Sequence, residues 1–227
     1  MAPPHYDRKD SFHRRAKHEG YRSRAAYKLL EIQKAHRLMR PRQRVFDLGC
    51  WPGGWLQVAS MTVGPAGRVV GVDREPIDPP LSNENVVALV GDLTDELRKC
   101  ALVEGLRGAL RGRAEVLLCD AAPKLTGIRI ADRAREEALL ESVESLIPEL
   151  LQRDGTLLLK LLEGPEATEV ARRLARHFER AKRLRPSATR KGSTEIYLLA
   201  RGYRARTGTR RPSREGERSG RPAARPS

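Results

Sequence analysis

The sequence predicts an α/β fold on a mostly parallel seven-stranded sheet, with an antiparallel last strand and helices on both faces. Three observations predict it. Apolar strand-like runs alternate with helix-length segments, the pattern of a parallel sheet covered by helices. Val116-Leu117-Leu118-Cys119 and Thr156-Leu157-Leu158-Leu159 are continuously apolar, as central strands buried on both sides are. The last two strands are separated only by residues 186–193. That is too short for a crossover helix, so they form an antiparallel pair.

The elements follow in order. Residues 1–22 are basic and expected to be mobile. From Ser23 to Met39, Ala26, Leu29, Leu30, Ile32 and Leu38 recur at roughly helical spacing, and Pro41 is expected to close this helix. Strands are predicted at 44–48, 68–73, 86–90, 115–120, 155–162, 179–185 and 194–201. Helices are predicted near 54–63, 94–106, 132–152 and 166–178. Residues 23–203 thus make one domain, a size that 227 residues accommodate once. Residues 204–227 are rich in Arg, Pro, Gly and Ser, offer no core-forming residue, and are expected to be disordered. No internal repeat is visible.

Charge is distributed unevenly. The net charge of +15 comes mostly from the two ends, with twelve Lys/Arg against four Asp/Glu in residues 1–42 and eight Arg against two Glu in 204–227. The body between them is close to neutral. Such ends suit a polyanion. A membrane surface fits less well, because no amphipathic apolar stripe accompanies the charge, and no apolar run reaches spanning length. Cys50, Cys100 and Cys119 show no CxxC spacing, which argues against a metal site and a disulfide framework. A reducing, cytoplasmic location is expected.

The chemistry gathers at strand ends. Val45-Phe46-Asp47-Leu48-Gly49 leads through Cys50-Trp51-Pro52 into Gly53-Gly54-Trp55. Glycines at a strand-to-helix turn let backbone approach a ligand, and Asp47 adds an acceptor. Alone, the segment is also compatible with an ordinary glycine-capped turn. Later strands, however, end at Asp73, run into Gly91-Asp92, end at Asp120, and carry Lys160 within an apolar run. In open parallel sheets ligands sit at this rim. Asp73 is placed to accept ribose hydroxyls and Asp92 to accept an adenine amine. The glycine pattern is not GxGxxG, which argues against a nicotinamide cofactor. A lysine in an apolar run either snorkels to the strand end or has its charge disfavoured by burial. Its neighbour Asp120 is either a structural ion-pair partner or half of a catalytic couple, and both readings stay open on the residues alone.

These motifs, with Arg22-Ser23-Arg24-Ala25-Ala26-Tyr27-Lys28-Leu29, Asp120-Ala121-Ala122-Pro123 and the segment Pro186 to Tyr197, resemble those of the FtsJ-like RNA ribose 2′-O-methyltransferases. The resemblance covers about Ser11 to Arg204 and implies a Rossmann-like class I methyltransferase fold. It implies S-adenosylmethionine as methyl donor and a Lys-Asp-Lys-Glu tetrad, carried here by Lys28, Asp120, Lys160 and Glu195. It implies cofactor contacts from Asp47, Gly49, Gly53, Gly54, Trp55, Asp73, Asp92 and Asp120, and no metal. The expected reaction is 2′-O-methylation of a uridine in large-subunit ribosomal RNA, in the subunit or its precursor, by a monomer with Lys160 as general base. A transfer-RNA methyltransferase and a non-catalytic ribosome-assembly factor are the alternatives on the same scaffold. Three departures concern the pocket's shape: Cys50-Trp51 where small residues are common, Lys124 where Asn is frequent, and Leu162 for a frequent Phe.

RNA also fits the basic segments. Lys9, Arg14, Arg15, Lys17, Arg22 and Arg24 alternate with Phe12, His13, His18 and Tyr21, a mixture suited to phosphates and unstacked bases. A second basic stretch runs from Arg172 to Lys191, where Arg190 and Lys191 are the expected RNA contacts. The Arg-rich tail would add salt-dependent, sequence-blind affinity.

Overall fold

The structure, a computed structural model, describes residues 11–123, 126–190 and 192–205. Lys9, Lys124, Lys191 and the tail beyond Ala205 lie outside the described residues. Thirteen elements follow in chain order: α1 (Ser11–His18), α2 (Ala25–His36), β1 (Arg44–Leu48), α3 (Gly54–Val63), β2 (Arg68–Asp73), β3 (Val86–Val90), α4 (Lys99–Leu110), β4 (Ala114–Cys119), α5 (Arg129–Leu150), β5 (Leu151–Leu162), α6 (Pro165–Ala175), β6 (Phe178–Leu184) and β7 (Glu195–Tyr203).

The seven strands form one sheet in the order β3-β2-β1-β4-β5-β7-β6. Strands β1 to β5 pair in parallel. Strand β7 inserts between β5 and β6 and runs antiparallel to both. The predicted fold class is therefore the observed one. Strand direction reverses where the sequence lacks room for a crossover.

Two apolar layers hold the sheet, and the period-2 alternation of side chains assigns residues to them. Phe46, Leu48, Val70, Val72, Leu117, Leu157 and Leu159 face the layer that includes Leu106 of α4, Val143 and Leu146 of α5 and Leu174 of α6. Val45, Val69, Val116, Leu118, Leu158, Tyr197 and Leu199 face the other, with Leu29 and Ile32 of α2 and Leu56 and Val58 of α3. Extending the second set by two residues along each strand gives Asp47, Asp120 and Lys160. Glu195 likewise shares the face of Tyr197. The polar residues at the rim thus continue the stripe that packs under α2 and α3.

Several boundaries differ from expectation, each for a local reason. Helix α2 stops at His36, because Arg37 adopts the left-handed conformation (φ 46°) and its N–H caps the Gln33 carbonyl; Pro41 comes later and is not the stop. Helix α4 starts at Lys99 rather than 94. Asp92 accepts the Thr94 N–H at 2.8 Å, and Asp95 accepts the Leu97 and Arg98 N–H groups at 3.1 and 3.2 Å. These short-range bonds satisfy backbone donors in turns and compete with the helix. Strand β5 follows α5 without a loop and starts at Leu151, four residues early. Within the terminal segment 1–22, residues 11–18 form α1, which docks through Ala16 onto a small cluster with Tyr27 and Ala188. No helix among the described residues is long and apolar enough to cross a membrane.

Candidate active site

The carboxyl ends of the parallel strands open into a cleft of about 460 Å³ lined by Gly49, Asp73, Gly91, Asp92, Ala121, Ala122, Pro123, Arg135 and neighbours. Gly49 sits at φ +78°, and a Cβ there would lie 2.5 Å from the Ala121 Cα. The turns after β1 and β4 therefore touch through bare backbone. At Gly91 a Cβ would lie 2.8 Å from Leu102. Both positions keep the floor of the cleft open.

Two acids are presented at its wall. Asp73 accepts the Trp51 N–H on Oδ2 at 3.0 Å and the Glu75 N–H on Oδ1 at 3.1 Å, which fixes the carboxylate plane. Asp92 accepts both the N–H and the hydroxyl of Thr94 on Oδ1, and its Oδ2 lies 3.7 Å from the Arg74 guanidinium. Burial opposes its charge, but the Thr94 bonds and Arg74 prevail and hold its carboxyl below the usual range.

Asp47 is different. It is fully buried, does not line the cleft, and neither carboxylate oxygen has a partner among the described residues. Burial, then the charges of Asp120 and Asp73, push its carboxyl well above the ordinary value. Because the folded pKa exceeds the unfolded one, the folded protein holds a proton the unfolded chain releases. Stability is therefore greatest at low pH and falls as pH rises from about 4 through the folded value. Asp47→Asn removes this slope. Without cofactor, the variant is expected to melt above the parent at pH 8, with the gap closing towards pH 4; a variant melting lower at pH 8 would contradict this.

Gly53, Gly54 and Trp55 are not brought to the cleft wall. A Cβ at Gly53 (φ +106°) would come within 3.1 Å of Arg22, and one at Gly54 would collide with Ser23 Oγ. These glycines admit the N-terminal segment over the turn. Trp55 is buried, its indole N–H donates to the Ala25 carbonyl at 2.8 Å, and its ring lies 5.9 Å from that of Tyr197. The bulky indole of Trp51, at the departure Cys50-Trp51, is 57% exposed and occupies no core space, whereas Cys50 is buried. Arg22, expected to face RNA, turns inward and donates to the carbonyls of Pro79, Pro80 and Pro52.

Beside the cleft the sheet order brings the four predicted tetrad residues together. Lys160 Nζ lies 3.2 Å from Asp120 Oδ1 and also donates to the Asp120 carbonyl. Lys28, delivered by α2, lies 2.7 Å from Glu195 Oε2. Both lysine side chains are only 9% exposed. Burial disfavours the Glu195 charge, but the Lys28 hydrogen bond and charge, with that of Lys160, hold its carboxyl below the usual range. Arg24, Lys28, Arg190, Gly192, Ser193 and Glu195 border a second concavity of about 430 Å³. Two ion pairs thus flank a basic opening, and Asp120 of one pair directly precedes Ala121 in the wall of the first cleft.

Tyr197 ties the pairs together. It stands opposite Lys160 in the β5–β7 register, and its hydroxyl donates to Asp120 Oδ1 at 2.8 Å. Lys28 Nζ lies 5.8 Å from its ring centroid. Burial and the charges of Asp120 and Glu195 push its phenol well above the ordinary value, so it remains a donor. Nothing in the sequence alone gives Tyr197 a role; its place two residues after Glu195, on the same face of β7, is the signal that could have found it. Among the described residues no His/Cys/Asp/Glu cluster could hold a metal ion.

Comparison with known proteins follows the same lines. A family model described as FtsJ-like methyltransferase matches residues 21–203. "Ribosomal RNA large subunit methyltransferase E" of Methanothermobacter thermautotrophicus is 40% identical over 199 residues, covering 88% of this chain and 92% of the relative. The protein of the same name from Acidithiobacillus ferrooxidans is 43% identical over 192 residues, covering 85% and 84%. A structure titled as a ribosomal RNA methyltransferase from Plasmodium falciparum superposes with a TM-score of 0.70 at 25% identity, over 82% of this chain and all of that one. Aeropyrum pernix fibrillarin, solved with S-adenosyl-L-methionine, shares the fold at a TM-score of 0.53 and 16% identity, over 79% and 75% of the two chains.

Proposed function

The chain belongs to the FtsJ-like methyltransferase family, and from that premise we propose that it methylates the ribose 2′-hydroxyl of a uridine in large-subunit ribosomal RNA. It is an S-adenosylmethionine-dependent RNA methyltransferase. Residues 23–203 are the catalytic unit and the flanking basic segments add RNA affinity. The protein acts as a monomer in the cytoplasm, on the large subunit or its precursor.

The observation that carries this reading is the adjacency of the cleft presenting Asp73 and Asp92 to the two lysine–carboxylate pairs. The cleft's residues fit the methyl donor. Asp73 has lone pairs free for ribose hydroxyls, and Asp92 Oδ2 is left for the adenine amine, since Oδ1 is taken by Thr94. Gly49 and Gly91 leave room beside these acids for the cofactor to lie against bare backbone. The cofactor supplies an electrophilic methyl on a sulfonium. Gly53, Gly54 and Trp55 act indirectly, by fixing the turn from behind.

On the acceptor side a 2′-hydroxyl is a weak nucleophile, and a base within hydrogen-bond reach accelerates its attack. Lys160, having first released its own proton to solvent, takes the hydroxyl proton on Nζ as the 2′-oxygen displaces the methyl group from the sulfonium, which would leave as a neutral thioether. Asp120, held by Tyr197, keeps Lys160 aimed, while Glu195 positions Lys28 and Lys28 positions the ribose. Fixing these groups contributes alongside basicity.

The purified protein with labelled S-adenosylmethionine is expected to label unmodified large-subunit ribosomal RNA or its particles at one uridine ribose. Labelling of transfer RNA instead would move the substrate. Cofactor binding with no transfer to either RNA would favour an assembly factor.

A further inference from the structure

A third concavity, of about 400 Å³, lies away from both clefts between the C-terminal end of α2 and the edge strand β6. We propose that it is a second phosphate-binding site for the RNA strand that leaves the acceptor cleft along α2. The proposal rests on the reading that the substrate is RNA.

The register builds it. In the antiparallel β6–β7 pair, Arg180 stands opposite Arg201 and Lys182 opposite Leu199, and directly opposed residues share a face. Leu199 faces the layer under α2, so these cations project to the α2 side. Lys182 Nζ is 3.2 Å from His36 Nδ1, and Arg201 donates to the backbone carbonyls of His36 and Arg37 at the helix end. No carboxylate is among the residues lining the concavity. The single acid of β6, Glu179, stands on the opposite face against Gly202. Burial, then the charges of Lys182 and Arg201, hold the His36 imidazole below its ordinary range.

Its position relative to the acceptor cleft gives the direction. Lys28 borders that cleft and Ala35 borders this groove. They are seven residues apart on α2, so they share a helix face about 10 Å apart. Along β7, the six residue steps from Glu195 to Arg201 span about 20 Å. A few nucleotides of single-stranded RNA bridge such a distance. Charged edge strands also prevent sheet-to-sheet pairing. That role needs only exposed charge, whereas a phosphate site needs these particular cations.

The test uses the full chain carrying Arg180→Gln and Lys182→Gln together, with Arg176→Gln, exposed at the end of α6 and outside the concavity's lining, as control. Binding to an unmodified transcript of large-subunit ribosomal RNA is measured between 50 and 200 mM salt. Loss of two phosphate contacts is expected to flatten the slope of log affinity against log salt by about 1.4, at about 0.7 per contact. It should raise KM for RNA on the order of tenfold while leaving the cofactor Kd and kcat unchanged. An unchanged slope, or an equal change in Arg176→Gln, would overturn the site and leave edge protection or diffuse charge as the role. If the transcript binds with the expected slopes but accepts no methyl group, the proposed reaction fails and the groove stands.

Discussion

Lys160→Ala is expected to reduce methyl transfer at least about a hundredfold, the lower end of what a general base contributes, while leaving cofactor affinity within a few-fold of the parent. The reason lies in the geometry. Lys160 Nζ is held at 3.2 Å from Asp120, and it is not among the residues lining the cleft proposed for the cofactor. A companion variant separates base from charge. Lys160→Arg retains a cation for Asp120 but cannot give up its proton. It should therefore remain inactive while restoring the stability lost when alanine leaves Asp120 with Tyr197 alone. Turnover near the parent level in either variant, in a single-turnover assay with saturating cofactor, would remove Lys160 from the proton-accepting role.

The second large effect is expected at Gly49. A methyl group there meets the Ala121 Cα and N at 2.5 and 2.7 Å, and the backbone already sits at φ +78°. Backbone cannot move aside as a flexible side chain does, and a left-handed residue other than glycine adds strain of its own. Gly49→Ala should cost about 3 kcal/mol, lowering Tm by about 10 °C for a domain of this size. Because the turn after β4 carries Ala121 and follows Asp120, cofactor affinity should fall as well. A variant with parental Tm and cofactor affinity would mean that the β1 and β4 turns do not meet as described.

Much of this arrangement was legible because it follows from local patterns. The order of strand-like and helix-length segments located all seven strands, including the mostly charged β6. The polar residues ending those runs located Asp73, Asp92, Asp120 and Lys160, and the short 186–193 link implied the reversed last strand. What escaped the sequence depends on distant segments meeting. Gly53 and Gly54 look like glycines that admit a ligand, yet what they admit is Arg22 and Ser23, whose position no local pattern encodes. Trp55 looks like a ring beside a cofactor, yet its N–H is satisfied by Ala25 on α2. Helix α1 has almost no apolar stripe of its own and is held by Tyr27 and Ala188, the latter far along the chain. Asp47 was read as an acceptor at the rim. It shares the strand parity of Asp120 and Lys160, yet it is fully buried and neither of its oxygens has a partner among the described residues.

The most direct measurement is a map of ribose 2′-O-methylation across cellular RNA, comparing cells with the parent protein and cells carrying only Lys160→Ala. Loss of methylation at a single uridine in large-subunit ribosomal RNA, with every transfer-RNA site unchanged, is the predicted result. An identical map in the two cells, or loss confined to transfer RNA, would contradict it.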